Sequence, residues 1–169
     1  MVKSYEKLSG SHPHLASHLK GEELKLMLAG RKVRVRDVEE YLAKRPQLRD
    51  KVKFLGYIDE GEKRRLLAEA EIFLFPTFYE GFGLPILEAQ AAGVPVITSN
   101  VTSNPEIAGT GAILVDPYNT NEIADAIKEL LTNKELRKQK IKLGYENVKR
   151  FSWKETARET LNTILSFRA

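Results

Sequence analysis

The chain has 169 residues, 42% apolar and 30% charged, with 27 Lys/Arg against 23 Asp/Glu and no cysteine. That length suits a single domain spanning residues 1–169 with a sizeable core. The composition excludes a disulfide framework, a thiolate metal site and, for want of any apolar run near ~20 residues, a membrane span. No basic–apolar–small order marks the first residues as a signal peptide, and a cytoplasmic location is the expectation.

In chain order, the stretch 9–21 contains Gly10, Pro13 and Gly21 and reads as the longest loop. His12, His14 and His18 fall in it without an acidic partner set, so a solvated loop is the better reading than a metal site. Residues 24–29 predict a strand ending at Gly30, and 35–44 a helix. Residues 52–55 predict the next strand, ending at Gly56, followed by a helix over 60–70. A third strand is expected over 72–75 with its helix over 85–92, bracketed by Pro85 at the first position and Gly93 past the end. The fourth strand is expected over 94–98. A short helix then opens at Asn104-Pro105-Glu106, with Asn104 as cap. Residues 112–115 predict a fifth strand, and helices follow over 122–131, 135–150 and 153–167. Thr132 with Glu135, and Ser152 with Glu155, have capping-box spacing.

The strands are continuous apolar runs rather than alternating ones, as in a parallel sheet covered on both faces. The fold class is therefore α/β, a doubly wound parallel sheet, with ligands expected at the carboxyl ends of the strands. Charge is uneven: residues 128–169 hold eleven Lys/Arg against five Asp/Glu, and Arg31, Lys32, Arg34 and Arg36 form a second basic cluster. Solvated helix faces explain this most simply. Phosphates or an anionic membrane surface are the partners such charge would attract, and without a nucleic-acid motif none is expected from DNA or RNA.

The segment from Pro76 to Ala89 carries the chemistry. A strand, a loop with Gly81 and Gly83, and a helix start make an anion site, because glycine admits close backbone approach and free amides favour negative charge. Glu80 on that loop and Glu88 one turn into the helix are odd neighbours for a phosphate. They are better acceptors for sugar hydroxyls, since a carboxylate takes a bidentate pair from a diol. Simple helix-start capping by acidic residues is the competing explanation. Phe78, Tyr79 and Phe82 offer stacking surfaces, although packing is the plainer role for at least two of them.

Several stretches together carry a family resemblance. They are Phe54-Leu55-Gly56-Tyr57-Ile58, Phe75-Pro76-Thr77, Glu80-Gly81-Phe82-Gly83-Leu84-Pro85 and Glu88-Ala89, then Gly93-Val94-Pro95-Val96-Ile97, Asn104-Pro105-Glu106, Leu114-Val115-Asp116-Pro117 and Phe151-Ser152-Trp153. From about residue 24 to 165 the chain resembles the C-terminal, donor-binding half of family-4 retaining glycosyltransferases of the GT-B fold. The resemblance implies a nucleotide-sugar substrate and no cofactor or metal. It implies that Glu88 holds ribose hydroxyls and that Glu80 adjoins the donor sugar and the reacting bond. Phe82, Gly83 and Leu84 would contact sugar and diphosphate through the backbone, and Gly30, Tyr57 and Ile58 would flank the base. It implies hexosyl, foremost mannosyl, transfer from a GDP- or UDP-sugar to a glycan or lipid.

The chain departs from that pattern in two ways. An acceptor-binding domain is not present in 169 residues, and residues 2–8 resemble the helix that follows the family's first strand and its Arg/Lys loop. The first strand is expected to be lacking, which would leave a gap between the strands at 24–29 and 72–75, and the isolated chain is expected to be inactive. A non-catalytic nucleotide-sugar module and a fragment of a GT-B UDP-sugar epimerase are the competing functions.

Overall fold

The computed structural model describes residues 24–30 and 35–167, and among these five short parallel strands are each followed by a helix. The strands are β1 (Leu26–Ala29), β2 (Val52–Gly56), β3 (Phe73–Phe75), β4 (Val96–Ser99) and β5 (Ala112–Val115). The helices are α1 (Val35–Ala43), α2 (Glu60–Glu69), α3 (Leu84–Ala91), α4 (Asn104–Ala108), α5 (Thr120–Thr132), α6 (Lys134–Val148) and α7 (Trp153–Ser166). The expected doubly wound α/β architecture is present, with each boundary within a few residues of its expected place. The N-terminal loop with its three histidines, and the basic residues Arg31, Lys32 and Arg34, lie outside the described residues.

The strands form two ladders: β1 pairs with β2, and β3–β4–β5 form a three-stranded sheet. Pairing is parallel throughout, with Leu26 opposite Val52, Phe73 opposite Val96, and Val96 opposite Ala112. Among the described residues no ladder joins β1 to β3. β4 is the innermost strand, buried at every position, as its run Val96-Ile97-Thr98-Ser99 between two neighbours requires.

Ile86, Ala89, Val96, Ile107 and Ala108 pack on one face of the β3–β5 sheet, and Ile97, Val115, Ile123, Ile127 and Leu130 on the other. Among the described residues, the β1–β2 pair has a core of Leu26, Leu42, Leu48 and Val52. Leu74 on β3 touches both that cluster and the second of the large ones. Among the described residues no helix is long and apolar enough to cross a membrane.

Two capping assignments change. Asn133, not Thr132, caps α6, accepting from the Leu136 amide, while the Thr132 hydroxyl turns back to the Lys128 carbonyl inside α5. Asparagine in extended backbone presents its carbonyl to the free amides better than a threonine still held in a helix. Ser103 occupies the cap position of α4, and Asn104 is its first residue with a fully buried side chain. The Ser152 cap stands, with its hydroxyl 3.4 Å from the Glu155 amide.

Candidate functional site at the start of α3

α3 begins at Gly83, whose φ of +108° turns the loop sharply into the helix. A side chain there would be strained by that angle, and its Cβ would lie 3.2 Å from both Asn104 Oδ1 and Ile86 Cδ1. Glycine is therefore required by conformation and by close approach together. Pro85 follows in the first turn, where its missing N–H costs nothing.

The loop before Gly83 is held by residues of the β4–α4 connection. The Glu80 amide donates to Thr102 Oγ1 at 3.3 Å. The Ser103 hydroxyl lies 3.1 Å from the Glu80 carbonyl and 2.9 Å from that of Phe82, bridging the two. Thr102 has φ +57°, a left-handed conformation that costs a β-branched residue on the order of 1–2 kcal/mol. Strain kept beside a glycine loop and its glutamate is a pointer to function. Beneath the loop, Asn104 Nδ2 donates to Thr77 Oγ1 at 3.0 Å and Ser99 Oγ at 2.7 Å. Asn104 Oδ1 is buried with no hydrogen-bond partner.

Glu88 lies one turn along α3 on a different wall. Its Oε1 accepts from Lys63 Nζ of α2 at 2.8 Å, and the same ammonium reaches Glu60 Oε1 at 2.9 Å. The Glu88 hydrogen bond is the foremost reason the Lys63 ammonium pKa is raised above its ordinary value, with Glu60 second. Glu60, Lys63, Arg64 and Leu67 of α2 face Glu88 and Ala92 across a groove of about 290 Å³. Glu80 and residues 81–84 do not line this groove. The helix that carries Glu88 is locked from behind. Gln90 Nε2 donates to the Ala108 carbonyl at 2.9 Å, and Asn147 Nδ2 donates to Gln90 Oε1 and to the Ile107 carbonyl, both at 2.7 Å.

The two loops expected to flank a base are joined, since the Gly30 amide donates to the Gly56 carbonyl at 2.8 Å. Tyr57 beside them is 82% exposed and Ile58 is half-buried. Of the aromatic residues, Phe82 meets Phe151 edge-to-face with centroids 6.0 Å apart, and Phe78 packs on Tyr118 at 4.7 Å. Tyr79 is the most exposed of the three, at 79%, with Phe78 at 60% despite its contact with Tyr118.

Sequence reasoning missed Lys63, Thr102 and Ser103. Lys63 is a cation in the first turn of α2, and its partner is twenty-five residues away. The Thr102-Ser103 pair has no spacing rule that links it to Glu80. Among the described residues no group of His, Asp or Glu is arranged to hold a metal ion.

Residues 2–147 match the family described as glycosyl transferases group 1. O-antigen chain mannosyltransferase B of Escherichia coli is 38% identical over 137 residues, covering 81% of this chain and 36% of that protein. Phosphatidyl-myo-inositol mannosyltransferase of Mycobacterium leprae is 29% identical over 143 residues, 83% of this chain and 37% of its own length. The chain thus spans little more than a third of these curated relatives. Sucrose-phosphate synthase from Thermosynechococcus elongatus superposes with a TM-score of 0.77 at 26% identity, over 99% of this chain and 43% of that one. HepE of Anabaena, in complex with UDP and glucose, superposes at 0.74 with 22% identity over 95% of this chain and 45% of its own, a likeness of fold. The chain belongs to the group 1 glycosyltransferases, and its fold is the Rossmann-like C-terminal half of a GT-B enzyme.

Proposed function

We propose that this chain is the donor-binding half of a retaining glycosyltransferase, taking a hexosyl group, foremost mannosyl, from a GDP- or UDP-sugar to a glycan or lipid acceptor. The observation that carries the reading is Glu88: a half-exposed carboxylate at the groove between α2 and α3, with Oε1 on Lys63 and, among the described residues, no hydrogen bond on Oε2, which would take a ribose hydroxyl. Glu80, held through its own amide and carbonyl, adjoins the donor sugar, and the backbone amides of Phe82, Gly83 and Leu84 meet the sugar and diphosphate. Gly30, Tyr57 and Ile58 flank the base. The leaving diphosphate is stabilised electrostatically rather than by a protein nucleophile, so no metal or cofactor is needed for the residues named. The mannosyltransferase names of two relatives support the sugar, and the UDP and glucose bound to HepE support the ligand class. The acceptor site belongs to a second domain, and the reaction runs in the cytoplasm, at an anionic membrane surface when the acceptor is a lipid.

Calorimetric titration of UDP, GDP, uridine and guanosine tests the reading. Glu88→Gln loses charge-assisted hydrogen bonds worth roughly 1.5–3 kcal/mol, so nucleoside affinity falls about ten- to a hundredfold. Glu80→Gln, in a two-domain protein, lowers turnover more than binding. Equal nucleoside affinity for Glu88→Gln and the parent defeats the ribose role.

A further inference from the structure

Phe78 and Tyr118 form an exposed aromatic pair beyond Glu80, and with the donor placed as proposed above we infer that this pair stacks a sugar ring of a glycan acceptor. Because β3, β4 and β5 are parallel, the connections that follow them emerge on one edge of the sheet. Phe78 belongs to the connection after β3 and Tyr118 to that after β5, strands about 10 Å apart with β4 between them. The rings meet with centroids 4.7 Å apart and planes inclined by 35°. Their contact does not bury them, for Phe78 stays 60% exposed and Tyr118 77%. Both rise from pinned backbone. Asp116 Oδ1 accepts from the Tyr118 amide at 2.8 Å, and the Asp116 carbonyl from the Asn119 amide at 3.0 Å. On the other side the Thr77 amide donates to the Phe75 carbonyl at 2.9 Å, and the Glu80 amide is held by Thr102.

Two apolar rings kept in water on fixed backbone forgo burial, and a ligand that covers them has little ordering left to impose. A pyranose suits that surface. Its C–H face is apolar and slightly positive, matching the negative faces of the rings, and its hydroxyls turn outward to polar groups. Such groups are at hand in the Tyr118 hydroxyl and in Asp116 Oδ2, which has no hydrogen bond among the described residues. The position of the pair assigns the sugar to the acceptor. Leu74 packs against the β1–β2 core, so that pair of strands adjoins the β3 side of the three-stranded sheet, and β5 is the opposite side. A donor with its base at Gly30 and Tyr57 and its ribose at Glu88 ends at Glu80, and Tyr118 lies past that end. Phe78 is two residues from Glu80, so their Cα atoms are within about 7 Å. A ring stacked there presents its hydroxyls to the bond that is broken, and the second domain supplies the facing wall.

NMR of the 169-residue chain with labelled Phe and Tyr rings, titrated with methyl α-mannoside, methyl α-glucoside, mannobiose and maltose, tests this with and without UDP or GDP. The Phe78 and Tyr118 ring signals shift with at least one saccharide, and nucleotide does not displace it. Tyr118→Ala and Phe78→Ala each lower that affinity at least about fivefold, whereas Tyr118→Phe, which keeps the ring face, loses less. Tyr118→Ala moves the melting temperature by less than about 4 °C and leaves UDP and GDP affinity unchanged. Nucleotide binding without any saccharide shift at the two rings overturns the inference and leaves the donor reading standing. A fall in UDP or GDP affinity in Tyr118→Ala also overturns it, because the rings would then serve the donor. Saccharide shifts in a chain that binds neither nucleotide overturn the acceptor role too, and that result alone fails the donor reading with it.

Discussion

The β3–β5 half of the molecule and the β1–β2 half are made of the same kind of short apolar strand but are secured very differently. The first is filled on both faces and bound across helices by the Gln90–Asn147 network, to which Arg150 adds a bond to Asn147 Oδ1 at 2.7 Å. Among the described residues, the second has four buried side chains, Leu26, Leu42, Leu48 and Val52. The glycine loop and both glutamates sit on the well-packed half. Lys63, on α2, comes from the connection between the halves. The well-packed half thus carries both candidate carboxylates, and α2, which closes the groove, is itself seated on that half through Leu67.

The largest effect should come from breaking the network that secures the first half. Asn147→Ala leaves Gln90 Oε1 and the Ile107 carbonyl without their donor in a buried site, at about 1–3 kcal/mol for each group left unpaired. Urea unfolding should show a midpoint shift matching a loss of about 3 kcal/mol, with the whole β3–β5 half melting together. An unchanged midpoint would mean that the two halves do not differ as described.

Leu48→Ala tests the other half. Leu48 is 1% exposed, and a truncation of this type costs about 2–5 kcal/mol in a core that cannot collapse. Here the loss should fall at the low end and appear as local melting, with amides of β1 and β2 exchanging faster while β4 amides stay protected. A single cooperative loss across both halves would show that they share one core.

What the sequence made legible tracks this contrast. The strands with continuous apolar runs and the helix bracketed by Pro85 and Gly93 were readable because their signals are local. Glu80 and Glu88 were singled out as candidates through the loop around them. The hydrogen bonds that hold the site were not, because Ser103 with Glu80 and Lys63 with Glu88 join residues more than twenty positions apart. Asn104 looked like a cap by residue type and position, yet burial under Gly83 gives its amide two hydroxyl partners and hands the cap position to Ser103. Local chemistry predicts which groups can bond; packing decides which do.

The smallest effect, and the one that separates charge from geometry in the groove, is expected for Lys63→Met. Lys63 and Glu88 have side chains 28% and 39% exposed, so water screens the pair and its worth is near that of a surface ion pair, roughly 0.5–1 kcal/mol. Removing the ammonium leaves the Glu88 charge facing an incoming diphosphate. Affinity for UDP or GDP should therefore fall about three- to fivefold, the equivalent of that energy. Uridine and guanosine carry no such charge and should lose less than about twofold. Lys63→Arg should restore the nucleotide affinity. Glu88 and Glu60 raise the ammonium pKa above the ordinary 10.5, so its charge is constant through neutral pH and the difference between variant and parent should be flat there. The pair's contribution to stability is complete below the ordinary value and is lost only as pH rises through the raised one. An equal loss for nucleoside and nucleotide would show instead that Lys63 acts by orienting the Glu88 carboxylate. The groove would then depend on where α2 sits, and so on the Leu67 contact that seats it against the β3–β5 half.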